Sequence, residues 1–185
     1  IGRDARPSGP LIGALLSNTL NAQGIDVIDT GLSTTPTVEM TVIVQKAQGG
    51  VVITASHNPS GWNALKLLNE EGELISAVFG AEVLKRADND DYSFVDSKKI
   101  GKTISSEHTI VNHIDKILSL DLVDVSSIKA KKFKIIVDSV NSTGGIAIPL
   151  LLKKLDVEVV QLNGEPTGIF AHNPEPLPEN ILQIC

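Results

Sequence analysis

The chain has 185 residues, which allows one sizeable domain or two small ones with enough sequence to bury a proper core. Aromatic residues make up only 3% of it and its formal net charge is −6, so neither stacking platforms for single-stranded nucleic acid nor a broad basic footprint for duplexes or anionic membranes is expected. Cys185 is the only cysteine, which excludes an internal disulfide and a thiolate zinc cluster and suits a reducing, cytoplasmic setting; no run of about twenty apolar residues marks a membrane span and no leader pattern opens at Ile1.

A strand stub at Gly2 precedes apolar positions Leu11, Ile12, Leu15, Leu16 and Leu20, whose helical spacing predicts a helix over 11–23, stopped by Gly24. Ile25 to Thr30 reads as a strand. Pro36 suits the first turn of a helix running to about Lys46, and Gly49-Gly50 leads into the apolar strand Gly50 to Ile53. Ala64 to Leu68 and Glu73 to Ile75 flank Asn69-Glu70-Glu71-Gly72, a hairpin or tight-turn signal, and a helix follows over 78–87. Asp88-Asn89-Asp90-Asp91 ends that helix, and the polar stretch to Ser106 reads as an interdomain connection, dividing the chain into 1–98 and 99–185.

The second unit opens with a helix around His108 to Ser119 and crosses the polar segment Asp121 to Lys132. It then enters a strand at Phe133 to Val137, and Ser142-Thr143-Gly144-Gly145 caps a helix to about Leu155 before a strand at Val157 to Leu162. Strands alternating with helices predict an α/β protein of two consecutive α/β/α layered domains with mostly parallel, mixed sheets and right-handed crossovers. Proline lacks a ladder donor, so Pro166 to Pro178 is an irregular excursion, and the second domain is expected to be unfinished at Cys185.

Between Thr54 and Lys66 the chain reads T-A-S-H-N-P-S-G-W-N-A-L-K. Strand ends in open α/β sheets deliver backbone N–H groups and short side chains into a crevice, so Ser56 is well placed to meet phosphate. The neighbouring Ser56 and His57 suggest a hydrolase dyad, but adjacent side chains on extended backbone are expected to point apart, and no G-x-S-x-G elbow surrounds them. His57 reads as a loop-fixing hydrogen bonder, and Asn58 and Asn63 as turn formers. Lys66, taken alone, reads as a solvated strand lysine. Arg3, Asp4 and Arg6 fit either an ion-pair network that fixes a strand end or direct phosphate contact. Ser142 to Gly145 fit a simple capped helix or an anion cradle at its N-terminus.

T-A-S-H-N-P, then Asn63 and a lysine ten positions after the serine, resemble the phosphoserine loop of the α-D-phosphohexomutases, which include phosphoglucomutases, phosphomannomutases and phosphoglucosamine mutases. G-R-D-A-R-P-S-G at Gly2 to Gly9, G-L-S-T-T-P at Gly31 to Pro36, V-D-S-V-N-S-T-G-G at Val137 to Gly145 and H-N-P-E-P-L-P-E-N at His172 to Asn180 are similar to further family signatures in the same order. Ala64 stands where the family has glycine, the family's first strand would precede Ile1, and its Asp-rich metal loop, G-E-x-S-G sugar loop and C-terminal phosphate loop are absent. The resemblance therefore implies the front of a longer enzyme, domain I and part of domain II, whose missing C-terminal domains are its natural partners.

It further implies that phosphorylated Ser56 gives its phosphoryl group to a free hydroxyl of a hexose or hexosamine phosphate, that the bisphosphate turns over, and that the other phosphate returns to Ser56. Lys66 would screen charge and shuttle the hydroxyl proton. Mg²⁺, one per complete enzyme, would meet this chain through the Ser56 phosphate, with its remaining ligands outside the chain, and a sugar bisphosphate would serve as activator. A non-catalytic phosphosugar-binding or regulatory module of the same fold, and a serine hydrolase, are the alternatives.

Overall fold

A computed structural model describes residues 1–184. The first unit runs β1 (Gly2–Arg3), α1 (Gly9–Ala22), β2 (Val27–Asp29), α2 (Thr35–Gln45), β3 (Gly50–Ile53), β4 (Leu65–Leu68), α3 (Ala77–Asp88) and β5 (Thr103–Ser105). β1 pairs parallel with β3, β3 antiparallel with β4, and β2 parallel with β5. Backbone bonds from Thr30 N to Ile1 O (2.9 Å), Arg3 N to Gly31 O (3.0 Å) and Ser33 N to Arg3 O (2.9 Å) zip the end of β2 alongside β1. The spatial order is therefore β5-β2-β1-β3-β4, a mixed sheet in which only β4 runs against the rest.

Successive strand residues face opposite sides, and that alternation builds the layers. Val52 packs with Leu68 against Val38 and Val42, four apart on α2. Its neighbour Ile53 points the other way, with Cδ1 3.6 Å from where a Cβ on Gly13 of α1 would sit. Only part of the predicted apolar stripe of α1 turns inward: Ile12, Leu16 and Leu20, spaced by four, are half-buried, whereas Leu11 and Leu15 are exposed. Five leucine-type residues over ten positions are wider than one helix face.

The second unit comprises α4 (Thr109–Leu118), α5 (Val125–Ala130), β6 (Lys134–Asp138), α6 (Gly144–Lys154) and β7 (Glu158–Leu162). β6 and β7 are parallel and joined by the crossover helix α6, which packs Ala147 on Ile110 and Ile114 of α4. A second cluster gathers Leu152, Leu155 and Val157. The two units touch through α2 and α4, where the fully buried Thr37 bonds through Oγ1 to Thr34 Oγ1 (2.8 Å) and His113 Nδ1 (3.1 Å). Burial there pushes His113 below its ordinary pKa, with Glu39 opposing.

Two polar stretches carry more structure than their composition predicts. Thr103–Ser105, within the expected connection, is β5; all three residues are exposed, as an edge strand permits, so no apolar run marks it. Val125–Ala130, within the expected polar crossing, is a short helix capped by Asp124, whose carboxylate accepts from Ser127 N (2.9 Å) and Oγ (2.6 Å) and is held below its usual pKa by those bonds. Conversely, the expected side-chain cap of α6 is missing. Thr143 occupies the N-cap position without a cap bond, and the turn is instead held by backbone bonds such as Ser142 N to Ser139 O (2.8 Å) and Gly145 N to Ser142 O (3.0 Å).

Candidate active site

The loop after β3 is closed at its neck by Thr54 N to Ala64 O (3.0 Å). The Thr54 hydroxyl donates to Asp4 Oδ2 (2.7 Å) and accepts from Ser56 N (3.0 Å), which fixes the first turn from both sides. Ser56 itself is exposed and sits at φ +56°, in the left-handed region, at a cost to a non-glycine residue of about 1–2 kcal/mol. Because Ser56 is left-handed and not extended, its Oγ comes within 3.4 Å of His57 Nδ1, where extended backbone was expected to turn the two side chains apart; the contact is long and exposed.

Arg6 explains how so unfavourable a turn persists. Its side chain is 0% exposed, and its Nε donates to Asp4 Oδ2 (3.0 Å). Nη1 donates to Pro59 O (2.7 Å) and Trp62 O (2.8 Å), and Nη2 to Ser56 O (3.0 Å) and Asn58 O (2.7 Å). Those five bonds use all five N–H donors of a guanidinium. Burying a lone cation would cost several kcal/mol, and the saturated fork with the Asp4 carboxylate offsets it. Of the two readings open for Arg6, the geometry is that of an ion pair combined with a loop clamp, with no donor left for a phosphate.

Arg3 differs from Arg6. It is half-buried, donates only a 3.3 Å bond to Asp4 O, and has no carboxylate partner among the described residues, so it can still face an anion. Asn58 Nδ2 donates to Ala55 O (2.8 Å), and Asn63 Nδ2 to Ser8 Oγ (2.9 Å) at the start of α1. Lys66, on β4 opposite Val52, is half-buried and joins none of these bonds. Ser56, His57, Asn58 and Arg6 thus share one network, Arg3 and Asn63 attach at its edge, and Lys66 stands on the neighbouring strand.

Among the described residues no group of three or more His, Cys, Asp or Glu is placed to hold a metal ion, and Asp4, the carboxylate nearest the loop, is already spent on Arg6 and Thr54.

Sequence reasoning missed the contribution of the proline-rich excursion. Phe170 lies over Arg6 with the guanidinium carbon 5.0 Å from its ring centroid, and Ser142 Oγ reaches Ala5 N at 3.5 Å. Behind them His172 Nε2 meets Asp138 Oδ2 (2.9 Å) while His172 Nδ1 meets Asn173 O (2.8 Å). Two acceptors flank the imidazole, so the Asn173 carbonyl and then the Asp138 carboxylate raise its pKa. Burial works against the Asp138 charge, but the Val140 N–H, His172 and Asn163 outweigh it and lower its pKa. The signal in the sequence was the histidine of H-N-P-E-P; nothing marked Phe170.

The pair has a signed pH dependence. A raised histidine pKa gives stability present below the ordinary value of 6.5 and lost as pH rises through the folded value, whereas a lowered carboxylate pKa gives stability present above 3.8 and lost as pH falls. The urea midpoint of wild type should therefore exceed that of His172→Gln most at pH 5–6, with the gap narrowing towards pH 8–9. His113 titrates in both proteins and drops out of the difference. A gap that widens with pH would refute the charged pair.

Residues 1–94 match the family described as phosphoglucomutase/phosphomannomutase, alpha/beta/alpha domain I, and residues 111–185 match its alpha/beta/alpha domain II. The phosphoglucomutase/phosphomannomutase of Thermococcus kodakarensis is 37% identical over 182 residues, which are 98% of this chain and 39% of that protein. The phosphoglucosamine/phosphogalactosamine mutase of Sulfurisphaera tokodaii is 30% identical over 178 residues, 95% of this chain and 39% of that one. A crystal structure of a phosphoglucomutase/phosphomannomutase family protein from Burkholderia thailandensis superposes with a TM-score of 0.76 at 25% identity, over 99% of this chain and 40% of its own. The chain spans about two fifths of the length of these relatives.

Proposed function

The chain belongs to the phosphoglucomutase/phosphomannomutase family through its domains I and II, and on that premise we propose that it carries the phosphoryl-bearing loop of a phosphohexomutase that interconverts hexose or hexosamine 6-phosphate and 1-phosphate. The observation that carries this reading is Ser56: an exposed hydroxyl at a strand exit, on a left-handed turn whose backbone is clamped from beneath by a buried arginine. Such a hydroxyl can be loaded and unloaded while the loop keeps its shape.

In the proposed reaction a free hydroxyl oxygen of the sugar phosphate attacks the phosphorus on Ser56, and the bond from phosphorus to Ser56 Oγ breaks as the new one forms. Ser56 Oγ takes the departing electron pair, and the hydroxyl proton passes to it, through Lys66 or solvent, so that the serine hydroxyl is restored. The sugar bisphosphate turns over, and its other phosphoryl group returns to Ser56 by the reverse step. A phosphoserine carries about −1.5 to −2 charges, so a cation beside it stabilises the spread charge of the loose transition state. Arg3, with spare donors, and Lys66 on β4 are this chain's candidates. A sugar bisphosphate is the activator that loads Ser56. The Mg²⁺ implied by the family would meet this chain only through the phosphate. No helix among the described residues is long and apolar enough to cross a membrane, and a cytoplasmic site suits a sugar phosphate substrate.

Lys66 gives the test of roles. In the whole protein Lys66→Met should lower kcat by on the order of 10²-fold in a coupled isomerisation assay, since charge and any proton role vanish together. Arginine keeps the charge but does not readily shed a proton. Full activity of Lys66→Arg would leave screening as the role and discard proton shuttling; wild-type kcat in Lys66→Met would remove Lys66 from the site altogether.

A further inference from the structure

All five N–H donors of Arg6 point along the edge of the guanidinium plane and are spent, so only its two faces remain to be covered. One face is covered by Phe170, which belongs to the second unit. The ring is itself held from both sides. Upstream, Gly168 N donates to Asn141 O (2.9 Å) and Asn141 Nδ2 donates to Ile169 O (2.9 Å). Gly168 has φ +72°, and a Cβ there would collide with the carbonyl oxygen of Ala5, so the excursion lies directly on the backbone that precedes Arg6. Downstream, the His172–Asp138 pair pins the chain two residues after the ring.

We propose that Phe170 is a positioning residue for the Ser56 loop, acting through Arg6. The second unit presses an aromatic face onto the cation whose donors hold the carbonyls of Ser56, Asn58, Pro59 and Trp62, and so restricts the loop to the one geometry in which all four bonds are made. A desolvated cation gains more from an aromatic face than a solvated one does, and Arg6 has no exposure at all. Its consequence for phosphoryl transfer rests on reading Ser56 as the phosphoryl carrier; the positioning itself does not.

Amide hydrogen exchange on the full chain, without any phosphoryl donor, tests it. In Phe170→Leu the amides of 54–64 should exchange about tenfold faster while those of α6 and β6 stay within about twofold of wild type. Phe170→Tyr keeps the aromatic face and should restore the wild-type loop rates. Should the leucine variant lose cooperative unfolding, Phe170→Met fills the volume without a ring and is read in the same way. Loop rates within about twofold of wild type in the variant without a ring, or equal acceleration in α6 and β6, would overturn the proposal. If the loop loosens as expected but wild-type Ser56 in the whole protein never takes label from glucose 1,6-bisphosphate, the functional reading fails and the positioning role stands.

Discussion

Arg6→Met should cost the chain about 3–5 kcal/mol in stability, the range for removing one partner of a buried ion pair. The side chain is 0% exposed and its Asp4 partner 11%, so neither charge has water to fall back on. Methionine fills much of the volume but leaves four loop carbonyls without their donor and Asp4 without its counter-charge. Unfolding in urea should show the loss, and the amides of 54–64 should exchange faster still. Lysine is no remedy, because three donors on a compact ammonium cannot reach four carbonyls and a carboxylate arranged around a planar fork. A loss under about 1 kcal/mol in Arg6→Met, or wild-type stability in Arg6→Lys, would mean that the loop is held by its local bonds alone.

For Ser56→Ala the expected effect is on chemistry. In the whole protein turnover should fall by on the order of 10³-fold or more, because the covalent carrier is removed. Incubation of wild type with radiolabelled glucose 1,6-bisphosphate should place label on the peptide containing Ser56, and the alanine variant should carry none. The change is conservative for the fold: alanine loses only an exposed hydroxyl whose one contact is 3.4 Å from His57. Label that persists in Ser56→Ala would assign the phosphoryl group elsewhere. Sugar phosphate binding without label in wild type would favour a non-catalytic module.

The elements with strong periodicity were legible in the residues. Gly50 to Ile53, Lys134 to Asp138 and the helices α2, α3, α4 and α6 lie within a residue or two of their expected bounds, because their apolar residues recur at strand or helix spacing. β5 was hidden because an exposed edge strand needs only ladder bonds, which Thr, Ile and Ser supply without an apolar pattern. The loop around Ser56 could be found from its order of residues. The division of labour between Arg3 and Arg6 could not, because both are arginines three positions apart beside one aspartate, and only the path of the chain buries one and leaves the other half-open. Phe170 was out of reach for the same reason. Its meaning depends on a contact with a residue in the other unit, and no spacing in the sequence encodes that.

The bonds from the Arg6 guanidinium to the loop join residues 50 to 56 positions apart. On a nascent chain growing at about 5–20 residues per second, Arg6 therefore waits several seconds for the carbonyls it will hold, and it waits as a solvated cation beside Asp4. The turn at Ser56 cannot be secured before then, whatever local structure α1 and α2 have reached. Its aromatic cover is made later still, once synthesis has passed β7 and reached Phe170. The functional loop is thus assembled in two stages separated in time, first the clamp and then the lid on the clamp, and a ribosome that pauses between the units would present Ser56 on a loop that is hydrogen-bonded but not yet covered.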